Sequence, residues 1–241
     1  MDKDTTIRYI SQYVETESYS LVIDEFGKPI LTIEAWEKIT KILLLLKLPY
    51  DDQVSEMPGI EMVRGDSPLT EIDPNRIGIL INDIYEITFL SLYPNIIIAM
   101  NIDDQPNFEI FKFIVRNRAE FKKNMSSNGF YVVKAWINFY YGILSKRNKE
   151  LGKMITGTAK SIMTKVQTAL GRDVIYSHVD TIFFMGKEKL DNIIGYANYV
   201  GFPYEIEHYE SGIFFAKQKY VLFKKLEDVR MKGFKKINFG N

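Results

Sequence analysis

The apolar positions of this chain change period several times, and each change marks an element. Residues 20–23 and 30–32 are rich in β-formers and flank Asp24-Glu25-Phe26-Gly27-Lys28-Pro29, a Gly/Pro turn that predicts a hairpin. Thr32 stands as a helix cap, and Ala35, Ile39, Ile42 and Leu46 fall on one side of the helix that follows. Residues 51–70 are polar and hold Pro58, Gly59, Gly65 and Pro68, which predicts a linker and a domain boundary near residue 60. Residues 77–87 predict a strand, Pro94 turns the chain, and a helix begins over 96–100. Two antiparallel helices are expected over 107–126 and 129–151, joined by Ser126-Ser127-Asn128-Gly129, then a helix over 156–170 ended near Gly171. Residues 173–176 and 181–185 have the β-branched and aromatic content of a hairpin, with 178–180 at its tip. The mixture predicts an α+β fold.

Composition narrows the class. At 241 residues and 46% hydrophobic content, the chain can bury the core of one or two domains. It has no cysteine, which excludes disulfides and thiolate metal sites and fits an intracellular protein. The start Met1-Asp2-Lys3-Asp4 has no signal-peptide character, and the most apolar run, residues 42–48, is far too short for a bilayer span. A cytoplasmic protein with no membrane partner is the expectation. The net charge of zero argues against a nucleic-acid binder, but its distribution does not. Residues 1–109 carry 8 Lys and Arg against 20 Asp and Glu, residues 110–172 carry 13 against 2, residues 173–214 carry 2 against 7, and residues 215–241 carry 8 against 2. The two basic blocks are candidate phosphate-binding surfaces, with solvated helix faces as the alternative.

Four runs then change the picture. They are Ile84-Tyr85-Glu86-Ile87-Thr88-Phe89-Leu90-Ser91-Leu92-Tyr93-Pro94-Asn95-Ile96-Ile97; Lys134-Ala135-Trp136-Ile137-Asn138-Phe139-Tyr140-Tyr141-Gly142; Tyr176-Ser177-His178-Val179-Asp180-Thr181-Ile182-Phe183-Phe184; and Lys217-Gln218-Lys219-Tyr220 with Lys232-Gly233 beyond it. In this order they resemble the palm motifs D-F-x-S-L-Y-P-S-I-I, K-x-x-x-N-S-x-Y-G, Y-G-D-T-D-S and K-K-x-Y of family B DNA polymerases, and the K-G pair that closes the palm. Arg118 and Lys122 repeat the R-x-x-x-K spacing of the family's fingers helix. Ile155-Thr156 with Lys160 is similar to its I-T-x-x-G-R helix. The resemblance spans residues 70–236. It implies a palm, an antiparallel sheet packed on helices, with a helical fingers insertion. The expected parts are a small N-terminal α/β segment (1–60), the first part of the palm (61–104), the fingers helices (105–152), and the rest of the palm with a basic tail (153–241). Neither a thumb nor an exonuclease domain is expected.

The departures from the pattern matter most. Polymerase phosphoryl transfer uses two divalent cations about 4 Å apart, held by carboxylates, because Mg²⁺ takes hard oxygen ligands. At the matching positions stand Thr88, His178 and Asp180, and only Asp180 is an anionic ligand. A neutral hydroxyl and an imidazole do not replace bridging carboxylates, so Mg²⁺ or Mn²⁺ is expected to bind weakly at Asp180. Glu86 shares the strand face of Thr88 about 7 Å away, and is either a substitute ligand after a strand slip or an ordinary edge residue. Asp103 and Asp104 lie further on. The resemblance assigns Arg118, Lys122 and Lys134 to the triphosphate, Asn138, Tyr93 and Tyr141 to the nucleotide, and Lys217, Lys219, Tyr220 and Lys232 to duplex backbone. The basic residues Lys224, Lys225, Arg230, Lys235 and Lys236 extend the last group. Phe139 puts a ring where the family has serine.

The expected function is that of an inactivated family B polymerase-like module that binds DNA, as primer-template or single strand, or a replication or repair protein. Two alternatives stay open: a minimal or split polymerase using Asp180 with Mn²⁺ or a partner subunit, and a sensor that binds a deoxynucleoside triphosphate without transfer.

Overall fold

Ile7, Ile10 and Val14, spaced three and four apart, give helix α1 (Lys3–Ser18) a buried stripe. In the computed structural model, which describes residues 2–18, 21–23, 30–46, 48, 60–101, 107–225 and 228–234, α1 belongs to a helical unit made of residues 1–56 and 93–152. Helix α2 (Ile33–Leu43) starts at Thr32, whose hydroxyl accepts from the Ala35 N–H at 3.2 Å. Its buried face is Trp36, Ile39, Thr40 and Leu43, not the expected Ala35, Ile39, Ile42 and Leu46. The tryptophan sets that rotation. Its ring stacks on Trp136 at 6.0 Å, its indole N–H donates to the Trp136 carbonyl, and the Trp136 indole donates to the Thr40 hydroxyl.

Helix α3 (Leu92–Ala99) begins four residues before the expected 96–100, with Pro94 accommodated in its first turn. The helix expected over 107–126 is broken into α4 (Asn107–Arg116) and α5 (Arg118–Asn124). The break is at Asn117, whose side-chain amide turns back to the Phe113 carbonyl at 2.8 Å. Helix α6 (Ser127–Arg147) is capped by Ser126, which accepts from the Gly129 N–H at 3.1 Å. Asn148 ends α6 and caps α7 (Lys149–Leu170), accepting from the Leu151 N–H at 3.1 Å, so this helix starts a full seven residues before the expected 156. Of the expected N-terminal hairpin, the described residues show the Ile30 N–H donating to the Val22 carbonyl at 2.8 Å. The turn at 24–29, the linker at 51–59, Asp103, Asp104, Lys235 and Lys236 lie outside the described residues.

The second unit, residues 57–92 and 153–241, is built on a seven-stranded sheet. Its strands are β1 (Thr70–Ile72), β2 (Leu80–Phe89), β3 (Val174–His178), β4 (Thr181–Met185), β5 (Tyr204–Ala216), β6 (Lys219–Lys225) and β7 (Asp228–Lys232). The order is β1-β3-β4-β2-β5-β6-β7, antiparallel throughout. Ile155, Ala159, Ile162, Met163, Val166 and Leu170 of α7 are buried, as are Ile193, Ala197 and Val200 of helix α8 (Leu190–Val200). These are the helices that accompany the sheet.

The sheet is not flat. Tyr176 on β3 and Tyr220 on β6 are four strand spacings apart in the sheet order, about 19 Å if flat, yet their rings stand 6.4 Å apart. Phe183 lies 5.2 Å from Tyr220 and 5.3 Å from Phe214, and the Gln218 N–H donates to the Tyr176 hydroxyl at 2.9 Å. The sheet therefore curls around an aromatic core that also holds Ile81, Ile84, Ile175, Tyr209 and Leu222. Asp83, at φ 55°, breaks the alternation so that Ile81 and Ile84 enter the same core. Gly233, at φ +79°, lets the chain pass against the Gln218 carbonyl, where a Cβ has no room.

One backbone crossing fixes α7 to the segment before the sheet. The Cα of Gly157 lies 2.9 Å from where a Cβ on Gly65 would stand, and a Cβ on Gly157 would overlap the backbone of residues 63–65. The Gly65 N–H donates to the Lys153 carbonyl and the Val63 N–H to the Thr158 hydroxyl, each at 3.1 Å. We expect Gly157→Ala to lose about 2 kcal/mol in denaturant unfolding, because rigid backbone must move. Gly195→Ala, in open space within α8, should instead gain roughly 0.5–1 kcal/mol from helix propensity.

Candidate functional site

Strand register assembles the site. Cross-strand partners point to the same face, and one row runs Thr70, His178, Thr181, Thr88, Glu205 across five strands. Two of the three positions where carboxylates were expected, Thr88 and His178, are thus brought into one line, with Asp180 at the adjoining hairpin tip. The Thr88 and Thr181 hydroxyls bond each other at 3.0 Å, and the Thr181 hydroxyl reaches Asp180 Oδ1 at 3.3 Å. His178 Nδ1 lies 3.5 Å from the Thr70 hydroxyl, and its ring stacks on Tyr176. Burial, then the nearby Lys232 charge, lower the His178 pKa against the opposing pull of Asp180, so the imidazole is neutral at neutral pH.

The tip itself is a three-residue turn closed by the Asp180 N–H on the His178 carbonyl at 2.7 Å, with Val179 at φ 57°. A β-branched residue there is strained. Two outside bonds hold it: the Val179 N–H donates to the Leu69 carbonyl at 2.8 Å, and the Phe89 N–H donates to the Asp180 carbonyl at 2.9 Å.

Glu86 is neither an edge residue nor a substitute metal ligand. It sits on the central strand β2, paired on both sides and 3% exposed. Its Oε2 accepts from Arg230 at 2.6 Å and from the Tyr209 hydroxyl at 2.9 Å, while Oε1 lies 3.4 Å from the Thr88 hydroxyl. Arg230 also reaches Glu207 at 3.0 Å, and Lys224 pairs with Glu207 at 2.7 Å. The curl of the sheet brings Arg230 from β7 to β2. The result is two carboxylates balanced by two cations beside Thr88. Among the described residues no three His, Asp or Glu side chains converge so as to hold a metal ion. This donor set does not fit a two-cation centre, since the hydroxyls are bonded to each other and Glu86 is bonded to a guanidinium. Sequence reasoning missed Thr70, Thr181, Glu205, Glu207 and Tyr209. The alternation Glu205, Glu207, Tyr209 was the available signal.

The remaining expected residues divide between the units. In the sheet unit, Lys217, Lys219 and Lys232 are exposed, with Lys219 Nζ over the Phe234 ring at 5.1 Å and Lys232 Nζ over the Tyr220 ring at 6.0 Å. Tyr220 is 2% exposed inside the aromatic core, so it supports the surface and does not present itself to a duplex. In the helical unit, Tyr131, Lys134, Ala135, Asn138, Phe139 and Gly142 line a groove of about 450 Å³ along one face of α6. Phe139 borders it and packs against Trp36 at 6.0 Å. Tyr93 and Tyr141 pack ring to ring at 5.0 Å. Arg118 lies over the Phe130 ring at 5.7 Å, one helical turn from Lys134. Lys122 is exposed on α5 and is not among the residues lining the groove.

The buried pair makes a pH-dependent prediction. Burial raises the Glu86 pKa above the ordinary carboxylate value, with Arg230 and Tyr209 opposing it. The folded state then holds this proton more tightly than the unfolded state. Its contribution to stability falls as pH rises from the unfolded value through the raised folded one. Glu207 acts oppositely, its pKa lowered by the Lys224 and Tyr209 hydrogen bonds, so its stabilisation is lost as pH falls through that lowered value. Arg230→Met should cost about 2 kcal/mol at neutral pH, less than a fully buried pair because Arg230 is 44% exposed. That cost should shrink in unfolding curves taken below the Glu86 pKa, where a protonated acid needs no counter-ion.

No protein-family model matches the chain, and no curated protein matches it in sequence. Among solved structures it is similar to the family B DNA polymerase from the hyperthermophilic archaeon Pyrobaculum calidifontis, at a TM-score of 0.52 and 20% identity. The likeness covers 73% of this chain and 29% of that chain. No described helix is long and apolar enough to cross a membrane. At this identity the similarity is one of fold: a mixed α/β chain with an antiparallel sheet packed on helices, as in part of a family B polymerase.

Proposed function

We propose that this protein is a polymerase-like module that binds DNA through its phosphate backbone and does not transfer nucleotides. The observation that carries the proposal is the row at the hairpin, where the Thr88 and Thr181 hydroxyls are bonded to each other and an imidazole, that of His178, stands in line with them. Asp180 is left as the one carboxylate among the three expected metal positions. Without paired cations, the charge developing in a phosphoryl transfer loses most of its stabilisation. The exposed Lys217, Lys219 and Lys232, with the basic character of the segment that carries them, supply the electrostatic surface for phosphates.

A second reading, binding of a deoxynucleoside triphosphate without transfer, is favoured by the α6 groove. Lys134 and Asn138 stand there one turn apart beside Tyr131. Retention of such a nucleotide in the absence of DNA, abolished in Lys134→Ala, would select that reading.

The test is primer extension with Mg²⁺ and with Mn²⁺, comparing wild type, Asp180→Ala and Thr88→Asp/His178→Asp, alongside DNA binding over a range of salt. No extension by wild type is expected. Binding should weaken steeply with salt, and Lys217→Ala/Lys219→Ala/Lys232→Ala should flatten the log–log salt slope by about one for each phosphate that is no longer neutralised. Extension by wild type that disappears in Asp180→Ala would overturn the proposal in favour of a polymerase with an altered or partner-completed metal site.

A further inference from the structure

The outer edge of β7 and the sheet face beside it form a surface that matches a second copy of itself. Strand β7 is the last in the sheet order, and among the described residues no strand lies beyond it. All five of its residues are exposed. An open edge presents unpaired N–H and C=O groups to any incoming strand, so what surrounds those groups decides which strand is accepted.

Two features narrow the occupant. On one face, register aligns Leu80, Ile213, Val221 and Met231 in a single row across β2, β5, β6 and β7. The row is apolar from end to end, and its outer members are the most exposed, Leu80 at 60% and Met231 at 65%, with Val229 at 41% on the same face. A continuous apolar strip ending at an open edge is a docking surface rather than scattered exposure. On the other face, β7 carries Asp228 and Lys232 at equal distances either side of Arg230. In an antiparallel pairing of two β7 strands about Arg230, each Asp228 faces the Lys232 of the second copy, and each Val229 faces a Met231. The two Arg230 residues meet at the axis but do not confront each other, because each guanidinium is drawn inward onto Glu86 and Glu207 of its own chain. A shift of register by two residues breaks both of these pairs; in one direction it sets Asp228 opposite Arg230, whose guanidinium is already held by Glu86 and Glu207 of its own chain.

The geometry points to a two-fold dimer in which β7 pairs antiparallel with β7 of a second copy, joining two sheets into one. Such an interface is isologous and closes on itself, so it predicts a dimer and not a fibre. The charges at 228 and 232 would then serve selection. They favour a strand that carries the same two charges in the reversed order, which a second copy of β7 does.

Sedimentation equilibrium of the full chain tests this. Wild type should give twice 28.1 kDa at micromolar concentration. Asp228→Lys and Lys232→Asp should each raise the dimer dissociation constant by about tenfold or more, since both symmetry-related pairs turn from attraction to repulsion. The double variant Asp228→Lys/Lys232→Asp should return to the wild-type mass. Met231→Glu, at a position exposed enough to leave folding intact, should also dissociate the dimer, with circular dichroism as the folding check. A monomeric wild type overturns the proposal. So does a dimer indifferent to all of these substitutions, whose interface would lie elsewhere.

Discussion

Packing of Tyr176, Phe183, Phe214 and Tyr220 inside the sheet is the interaction on which the rest of this structure depends. Aromatic pairs in such arrangements contribute roughly 0.5–1.5 kcal/mol each beyond the area they bury, and the ring separations of 5.2–6.4 Å connect the first half of the sheet to the last. A flat sheet would leave β6 and β7 far from β3. The curl places Lys232 close enough to His178 to depress its basicity and delivers Arg230 to Glu86. The electrostatics of the candidate site are thus a product of hydrophobic packing several residues away from it.

That arrangement handles carboxylates in a crowded sheet by means other than metal. Glu86 and Glu207 are balanced by Arg230 and Lys224, with the Tyr209 hydroxyl bridging the two acids. Burial still dominates at Glu86, which is why its proton is held tightly despite a guanidinium at 2.6 Å. In the neighbouring row the Thr88 and Thr181 hydroxyls bond each other and also approach the carboxylates of Glu86 and Asp180, at 3.4 and 3.3 Å, while His178 lies beside the Thr70 hydroxyl.

How much of this was legible in the chain depended on whether the signal was local. The hairpin carrying Asp180 and the cap at Thr32 are set by nearest neighbours, and both appear where β-content and cap chemistry predict them, whereas Ser126, expected only in the loop between two helices, is the cap of α6. The face of α2 was misread because one long-range pairing, Trp36 on Trp136, outweighed the aliphatic periodicity. The break at Asn117 came from a side chain competing for a backbone carbonyl, which no periodicity contains. Helix α1 went unread although Ile7, Ile10 and Val14 were spaced for it. The row containing Thr88 was half visible: Thr88 and His178 were singled out by resemblance, but Thr70, Thr181 and Glu205 join them only through strand register. Glu86 was misplaced at an edge because its neighbours on β5 and its partner on β7 lie more than a hundred residues away.

Val179 has a bearing beyond its own strain. A left-handed valine costs on the order of 1–3 kcal/mol, and here that conformation is held by main-chain atoms of Leu69, Phe89 and His178. None of those bonds involves the side chains at 88, 178 or 180. The scaffold of the tip is therefore indifferent to the chemistry mounted on it, as a tool holder is to the tool. Side chains can be exchanged at these positions without dismantling the turn that presents them, so loss of one chemistry and gain of another become changes of a few atoms rather than of a fold.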